Sequence, residues 1–338
     1  MKEASLYKKR GGKKVKCYLC NQNCTILDGR RGLCGVRENQ GGTLYSLVYG
    51  KLIASHVDPI EKKPLYHFLP GTKSFSIATV GCNFTCKFCQ NADISQMPRD
   101  QGMIRGEDWS AKQVVEETKR NECSSIAYTY TEPTIFFEFA RDCGLLAKKE
   151  GIANVFVSNG YMTGECIDAA KGWLDAANID LKAFSDKFYR ATCGARLEPI
   201  LDSLKYLKKS GIWVEVTTLV IPKMNDSDEE LRRAAEFIAG ELGKDTPWHL
   251  SAFHPDYRML DSPSTPLKTL LRARELGEEA GLEYIYIGNV HSDEGSHTKC
   301  PGCGGLLIKR SGFDVVEDRM KGNKCPGCGR AIAGFFKP

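Results

Sequence analysis

Seven short apolar runs recur between residues 74 and 288: SFSIATV, SSIAYTY, IANVFVS, AANIDLK, IWVEVTTLVI, PWHLSAF and LEYIYIG. Their length and β-branched content suit strands buried on both faces. Between most of them the apolar positions recur every three or four residues, as in SAKQVVEETKR, TIFFEFARDCGLLAKKE, EPILDSLKYLKKSG and DSDEELRRAAEFIAGELG. That is the period of a helix with one buried face. Strands alternating with helices predict an α/β fold of six or seven parallel βα units, closing as a barrel or partial barrel. In such a fold the chemistry gathers at the C-terminal ends of the strands. Ahead of this block, LYSLVYGKLIASHVDPIEKKPLYHFLPG reads as a hairpin-like stretch ending in a Pro-Gly turn. The pattern divides the chain into an N-terminal segment (1–73), a βα body (74–290) and a C-terminal segment (291–338).

Composition narrows the class. With 42% hydrophobic and 26% charged residues, the 338-residue chain can bury a substantial core and is not compositionally disordered. No apolar run approaches the roughly 20 residues of a membrane helix, and the opening MKEASLYKKRGGKKVK lacks the apolar centre of an export signal. A cytoplasmic protein without a membrane partner is expected. Residues 1–70 hold 13 Lys/Arg against 5 Asp/Glu, while the remainder holds 34 against 37. A basic opening could meet nucleic acid, but no aromatic-rich RNA-binding signature accompanies it, and a solvated tail before a metal knuckle accounts for it better.

Eleven of the fifteen cysteines fall into three close-spaced groups, which favours metal ligation over a disulfide scaffold. Cys82, Cys86 and Cys89 sit in GCNFTCKFCQN, directly after the first apolar run of the body. Three thiolates hold a four-iron, four-sulfur cube and leave its fourth iron open to a chelating small molecule. The alternative is a zinc site completed by a distant histidine. Cys300, Cys303, Cys325 and Cys328 form two CPGC knuckles, the spacing of a closed zinc ribbon. Cys17, Cys20, Cys24 and Cys34 also supply four thiolates, and zinc and a second iron–sulfur cluster both fit them. Cys123, Cys143, Cys166 and Cys193 read as small buried hydrophobes, with Cys193 the one to test for reactivity.

CNFTCKFC, with Phe88 before its last cysteine, resembles the C-x3-C-x2-C hallmark of the radical S-adenosylmethionine (SAM) superfamily. The resemblance implies a partial (β/α)6-type barrel and a [4Fe-4S] cluster whose open iron is chelated by the methionine amine and carboxylate of SAM. One electron then cleaves the sulfonium to give a 5′-deoxyadenosyl radical that abstracts hydrogen. It further implies that Phe88 packs beside the adenine. Glu132 in TYTEP stands where the superfamily often reads GGEP and would receive the methionine ammonium; Thr129 and Thr131 replace glycines there.

VSNGY (Ser158, Asn159) and NIDLK (Asp180, Lys182) resemble the TNG and DLK elements of pyruvate formate-lyase activating enzymes. By that carry-over Asp180 and Lys182 line the pocket, although a plain structural ion pair is the alternative. The strand VEVTTLVI resembles the ribose-contacting strand without its usual arginine, leaving Thr217 as the candidate, and His254 in LSAFHPDYRM resembles the YH element at the pocket mouth.

The four-cysteine opening, DPIEKKPLYHF, TYTEP, the DLK strand and the terminal CPGC pair together resemble the radical enzyme of the AmmeMemoRadiSam system. That resemblance implies Memo-type and AMMECR-type partner proteins, an electron donor such as a flavodoxin or ferredoxin, and a protein or peptide substrate. Two other classes remain open from sequence. One is a non-catalytic iron–sulfur carrier or scaffold, and the other a nucleic-acid-modifying protein.

Overall fold

The computed structural model describes residues 1–290 and 295–336; residues 291–294, at the start assigned to the C-terminal segment, and 337–338 lie outside the described residues. Its centre is an eight-stranded sheet: β1 (Ala54–Pro59), β2 (Lys73–Ala78), β3 (Ser125–Tyr128), β4 (Ala153–Ser158), β5 (Ala176–Asp180), β6 (Trp213–Val220), β7 (Trp248–Ala252) and β8 (Ile285–Gly288). The spatial order follows the chain order from one edge to the other. Strands β2 to β8 are parallel throughout, and β1 runs antiparallel to β2. The seven apolar runs are the seven parallel strands, and the six crossovers between them make six βα units. The sheet is open, with β1 and β8 at its edges.

Local signals fix several crossovers. The helix Ala111–Arg120 begins in a capping box: the Gln113 N–H donates to Ser110 Oγ at 3.2 Å, and the Ser110 N–H donates to Gln113 Oε1 at 2.8 Å. Its Val114, Val115 and Thr118 turn inward. The helix Asp228–Phe237 starts on an N-cap serine, Ser227, whose Oγ accepts from the Glu230 N–H at 3.3 Å.

The stretch read as a hairpin is not one. Thr43–Ser46 pairs with Arg37–Gln40 and Lys2–Glu3, Lys51–Leu52 pairs with Glu107–Asp108, and Ala54–Pro59 becomes β1. The physical reason is the bare flank of β2. An unpaired edge leaves a row of donors and acceptors unsatisfied, and β1 covers six residues of it. Residues 54–59 therefore join the main sheet from within the span assigned to the N-terminal segment.

The C-terminal segment packs Thr298–Lys299, Leu306–Ser311 and Asp314–Asp318 as an antiparallel sheet. It meets β6 through Trp213, which lies against Phe335, and β8 through Tyr286, whose hydroxyl is 2.9 Å from Thr298 Oγ1. Buried Arg310 reaches Glu61, the Tyr66 carbonyl (3.0 Å) and Thr298 Oγ1 (2.8 Å). Buried His67 links the two parts, with Nδ1 at 2.7 Å from the Ala333 carbonyl and Nε2 at 2.6 Å from Tyr286 Oη. A carbonyl can only accept, so Nδ1 carries the proton and Nε2 takes one from the tyrosine.

Burial holds His67 neutral, at about 4 against the ordinary 6.5, even with Glu215 nearby. A histidine depressed in the folded state contributes stability above its unfolded value that is lost as pH falls. Stability is therefore expected to drop by up to about 3 kcal/mol between pH 7 and pH 4 from this residue. Urea titrations of the wild type and His67→Gln check it: the variant's pH slope in that window should be flatter.

Candidate active site and metal centres

At the C-terminal ends of the parallel strands lies a cavity of about 310 Å³. It brings together Cys82, Cys86, Cys89, Phe88, Glu132, Asn159, Asp180, Lys182 and Thr217, residues scattered over 136 positions of sequence. The reason is topological, since the turn after each parallel strand emerges at the same end of the sheet.

Glu132 follows β3 and is 1% exposed. Its Oε1 accepts from the Thr134 N–H at 3.0 Å and from Ser158 Oγ at 2.8 Å, and its Oε2 accepts from the Asn159 N–H at 2.9 Å. Burial pushes its carboxyl above the ordinary 4.5, and these hydrogen bonds oppose the rise. Ser158 thus stands behind Glu132 and does not line the cavity, whereas Asn159 does. Gly160 makes this turn possible: its φ is +69°, and a Cβ there would meet Ile179 Cγ2 at 2.6 Å.

Asp180 ends β5, and Lys182 Nζ returns to it at 2.8 Å. Burial works against the lysine's charge, and Asp180 together with the Cys86 and Cys193 thiols outweighs it, holding Lys182 well above the ordinary lysine value. The ammonium also lies 5.8 Å from the centre of the Phe88 ring. Thr217 Oγ1 donates to Asn178 Oδ1 at 2.8 Å. His254, on the loop beyond β7, is exposed and does not line the cavity.

Lys62 and Tyr130 were not picked out from sequence, yet both line the cavity. Asp58, on β1, accepts from Lys62 Nζ at 3.0 Å, from Lys63 Nζ at 2.6 Å and from the Tyr130 hydroxyl. DPIEKK is thus the device that anchors these side chains near the strand tips. The quoted phrase was the available signal, but its partner Tyr130 lies 72 residues away. Asn91 ties the cysteine loop to the β3 loop through the Tyr130 carbonyl, at 2.8 Å.

The three cysteine groups differ in sulfur geometry. Among the described residues, the C-terminal four form the group whose ligand atoms all lie within 4.8 Å of one another. Their Cys300–Cys328 and Cys303–Cys325 sulfur separations are 3.5 and 3.7 Å. That donor set suits a single metal ion. The barrel trio instead surrounds the cavity, as ligands of a larger group must. Trio, open space and fixed carboxylate together fit a three-thiolate cluster with a chelating ligand on its open iron. The remaining thiols, Cys123, Cys143, Cys166 and Cys193, are all buried, and Cys193 lies against Cys86. Among the described residues no helix is long and apolar enough to cross a membrane.

Comparison with known proteins adds a lineage to this geometry. The family model described as the radical SAM superfamily matches residues 76–237. The chain is 47% identical over 315 residues to an uncharacterized protein of Methanocaldococcus jannaschii, covering 93% of each. It is 27% identical over 220 residues to the pyruvate formate-lyase 1-activating enzyme of Escherichia coli K12, covering 61% of this chain and 89% of that one. Among solved structures, a radical SAM methyltransferase from Sphaerobacter thermophilus superposes with a TM-score of 0.52 at 15% identity, covering 71% of both chains. Streptococcus suis SuiB, bound to its precursor peptide SuiA, gives 0.52 at 16% identity, covering 69% of this chain and 52% of that one. These two likenesses are of fold.

Proposed function

The chain belongs to the radical SAM superfamily and is related to its activating enzymes, and from that premise we propose an activase-like enzyme acting on a protein or peptide. The observation that carries the reading is one cavity shared by three thiols and a buried, pre-positioned carboxylate. Cys82, Cys86 and Cys89 hold a [4Fe-4S] cluster. Bound there with SAM, it supplies the one-electron cleavage that yields a hydrogen-abstracting 5′-deoxyadenosyl radical.

The chain's own residues do the rest. Glu132 is held by four fixed donors, three on Oε1 and one on Oε2, so its orientation needs no reorganisation when Oε2 receives an ammonium. Asn159 and Thr217 supply polar contacts to the bound nucleoside, and Phe84, Phe88, Val157 and Leu219 give the cavity apolar walls that limit water. Lys182, fixed by Asp180, holds a positive charge beside the reacting region. A macromolecular substrate is supported by the Escherichia coli relative, named for activating pyruvate formate-lyase.

Zinc is the ion proposed for Cys300, Cys303, Cys325 and Cys328. A tetrahedron with zinc–sulfur bonds near 2.3 Å spaces its sulfurs about 3.8 Å apart, close to the 3.5 and 3.7 Å found. Cys300→Ser is expected to lose about one zinc per chain and several kcal/mol of stability while keeping the barrel iron. Metal analysis with a thermal melt checks this, and iron lost in place of zinc would reverse the partition.

The test of function is anaerobic reconstitution of the full chain, followed by SAM and a strong reductant, with chromatographic assay of 5′-deoxyadenosine. Product formation at full iron loading is expected. Iron without product would turn the reading toward an electron carrier.

A further inference from the structure

The N-terminal cysteines stand outside the cavity just described. Cys17, Cys20, Cys24 and Cys34 line one small cavity of their own, with apolar Leu19, Ile26 and Ile135 among its walls. Beside the less buried Gln22 and Asn23, two fully buried polar residues also line it: Arg37, 1% exposed, and Asn83, 2% exposed. Arg37 Nη1 lies 3.2 Å from Cys17 Sγ, Nη2 bonds the Ser5 carbonyl and Glu138, and Nε has no partner. The Asn83 amide nitrogen is buried and has no partner. A buried N–H left unpaired is costly, and both groups wait on an acceptor that the thiols alone do not supply.

We infer that these four cysteines hold an iron–sulfur cluster of the four-iron type, and not zinc. A single zinc ion draws four sulfurs to about 3.8 Å from one another. The C-terminal four show that spacing, and the N-terminal four do not gather within 4.8 Å as they do. A cube interposes its own irons between the ligands and holds the outer sulfurs farther apart. It also presents bridging sulfides, which accept N–H···S bonds from groups placed like Arg37 Nε and the Asn83 amide.

Position adds weight. Cys82 lines the barrel cavity while the next residue, Asn83, lines this one. Gln22 Nε2, from the N-terminal loop, donates to the Asn83 carbonyl at 2.9 Å and to the Gly194 carbonyl at 3.0 Å. Asn159 Nδ2, on the barrel side, donates to Asn83 Oδ1 at 2.7 Å. The two sulfur sites are therefore neighbours across a single residue, and the N-terminal one is no peripheral knuckle.

The experiment uses full-length protein reconstituted anaerobically, as wild type and as the triple variant Cys82→Ala/Cys86→Ala/Cys89→Ala. The triple variant is expected to keep about four irons per chain with the Mössbauer signature of a cubane, against about eight in the wild type. Adding Cys20→Ala and Cys24→Ala should then remove them, with the C-terminal zinc retained as the sign of an intact fold. A triple variant with no iron and two zincs per chain overturns the inference. A wild type holding about four irons, all lost in the triple variant, also overturns it while leaving the barrel reading in place. A triple variant that keeps every iron of the wild type sinks the barrel reading instead and upholds this one.

Discussion

Replacing Cys86 with alanine is expected to remove the barrel's iron, about four atoms per chain, and to abolish 5′-deoxyadenosine formation. Two remaining thiolates leave two corners of a cube without protein ligands, and the open position can no longer be kept for a chelating substrate. The protein should survive the change. Cys86 is 8% exposed in a loop, and a methyl group in place of its thiol leaves a small defect beside Cys193 rather than a large core cavity. Iron analysis, visible absorbance and the product assay read the effect together, with a thermal melt as the control for folding. Iron and product at wild-type levels would take the cluster away from this loop and with it the proposed reaction.

Glu132→Gln is expected to weaken SAM binding by about 10- to 100-fold, the range of a hydrogen bond to a charged group worth roughly 1.5–3 kcal/mol. The amide is nearly the shape of the carboxylate, so the measurement isolates charge and acceptor capacity. Backbone N–H groups of Thr134 and Asn159 approach the two oxygens separately, at 3.0 and 2.9 Å. The glutamine NH2 must therefore face one of them, leaving that donor unpaired. Equilibrium binding of SAM to the reconstituted protein, at matched iron content, gives the number. Unchanged affinity would leave Glu132 as a structural cap on the turn that follows it. The wild type carries a companion pH effect. Burial raises the Glu132 carboxyl above the ordinary 4.5, so binding should weaken with falling pH from higher pH than an exposed glutamate would allow. The Gln variant should lack that limb.

The DPIEKK segment shows how a readable sequence element can be assigned the wrong partner. The longer stretch around it, ending in a Pro-Gly turn, suggested a hairpin, because sequence displays only neighbours. In the structure Ala54–Pro59 pairs with β2, and Asp58 collects two nearby lysines and a tyrosine 72 residues away. The strand does fold back, but on β2 beyond the Pro-Gly turn and not within the stretch itself, because β2 offers an uncovered sheet edge. His254 is the converse case. A histidine after a barrel strand suggested the pocket mouth, yet the loop beyond β7 leaves it in solvent.

Sequence alone determined the periodic features. Strand length and apolar content marked seven parallel strands, the 3.6-residue period marked crossover helices, and ligand spacing marked three sulfur sites. The strands, helices and individual cysteine knuckles are each written within about a dozen residues, where local sterics and hydrogen bonding dominate. Tertiary structure alone decided what those elements meet. It set Ser158 behind Glu132 and Asn159 before it, brought Lys62 and Tyr130 to the cavity, and spread the N-terminal sulfurs while gathering the C-terminal ones. Those outcomes depend on the order in which parallel strands stack and on which edge is left to cover. Contacts made across a hundred residues fix that order, and no short pattern records it.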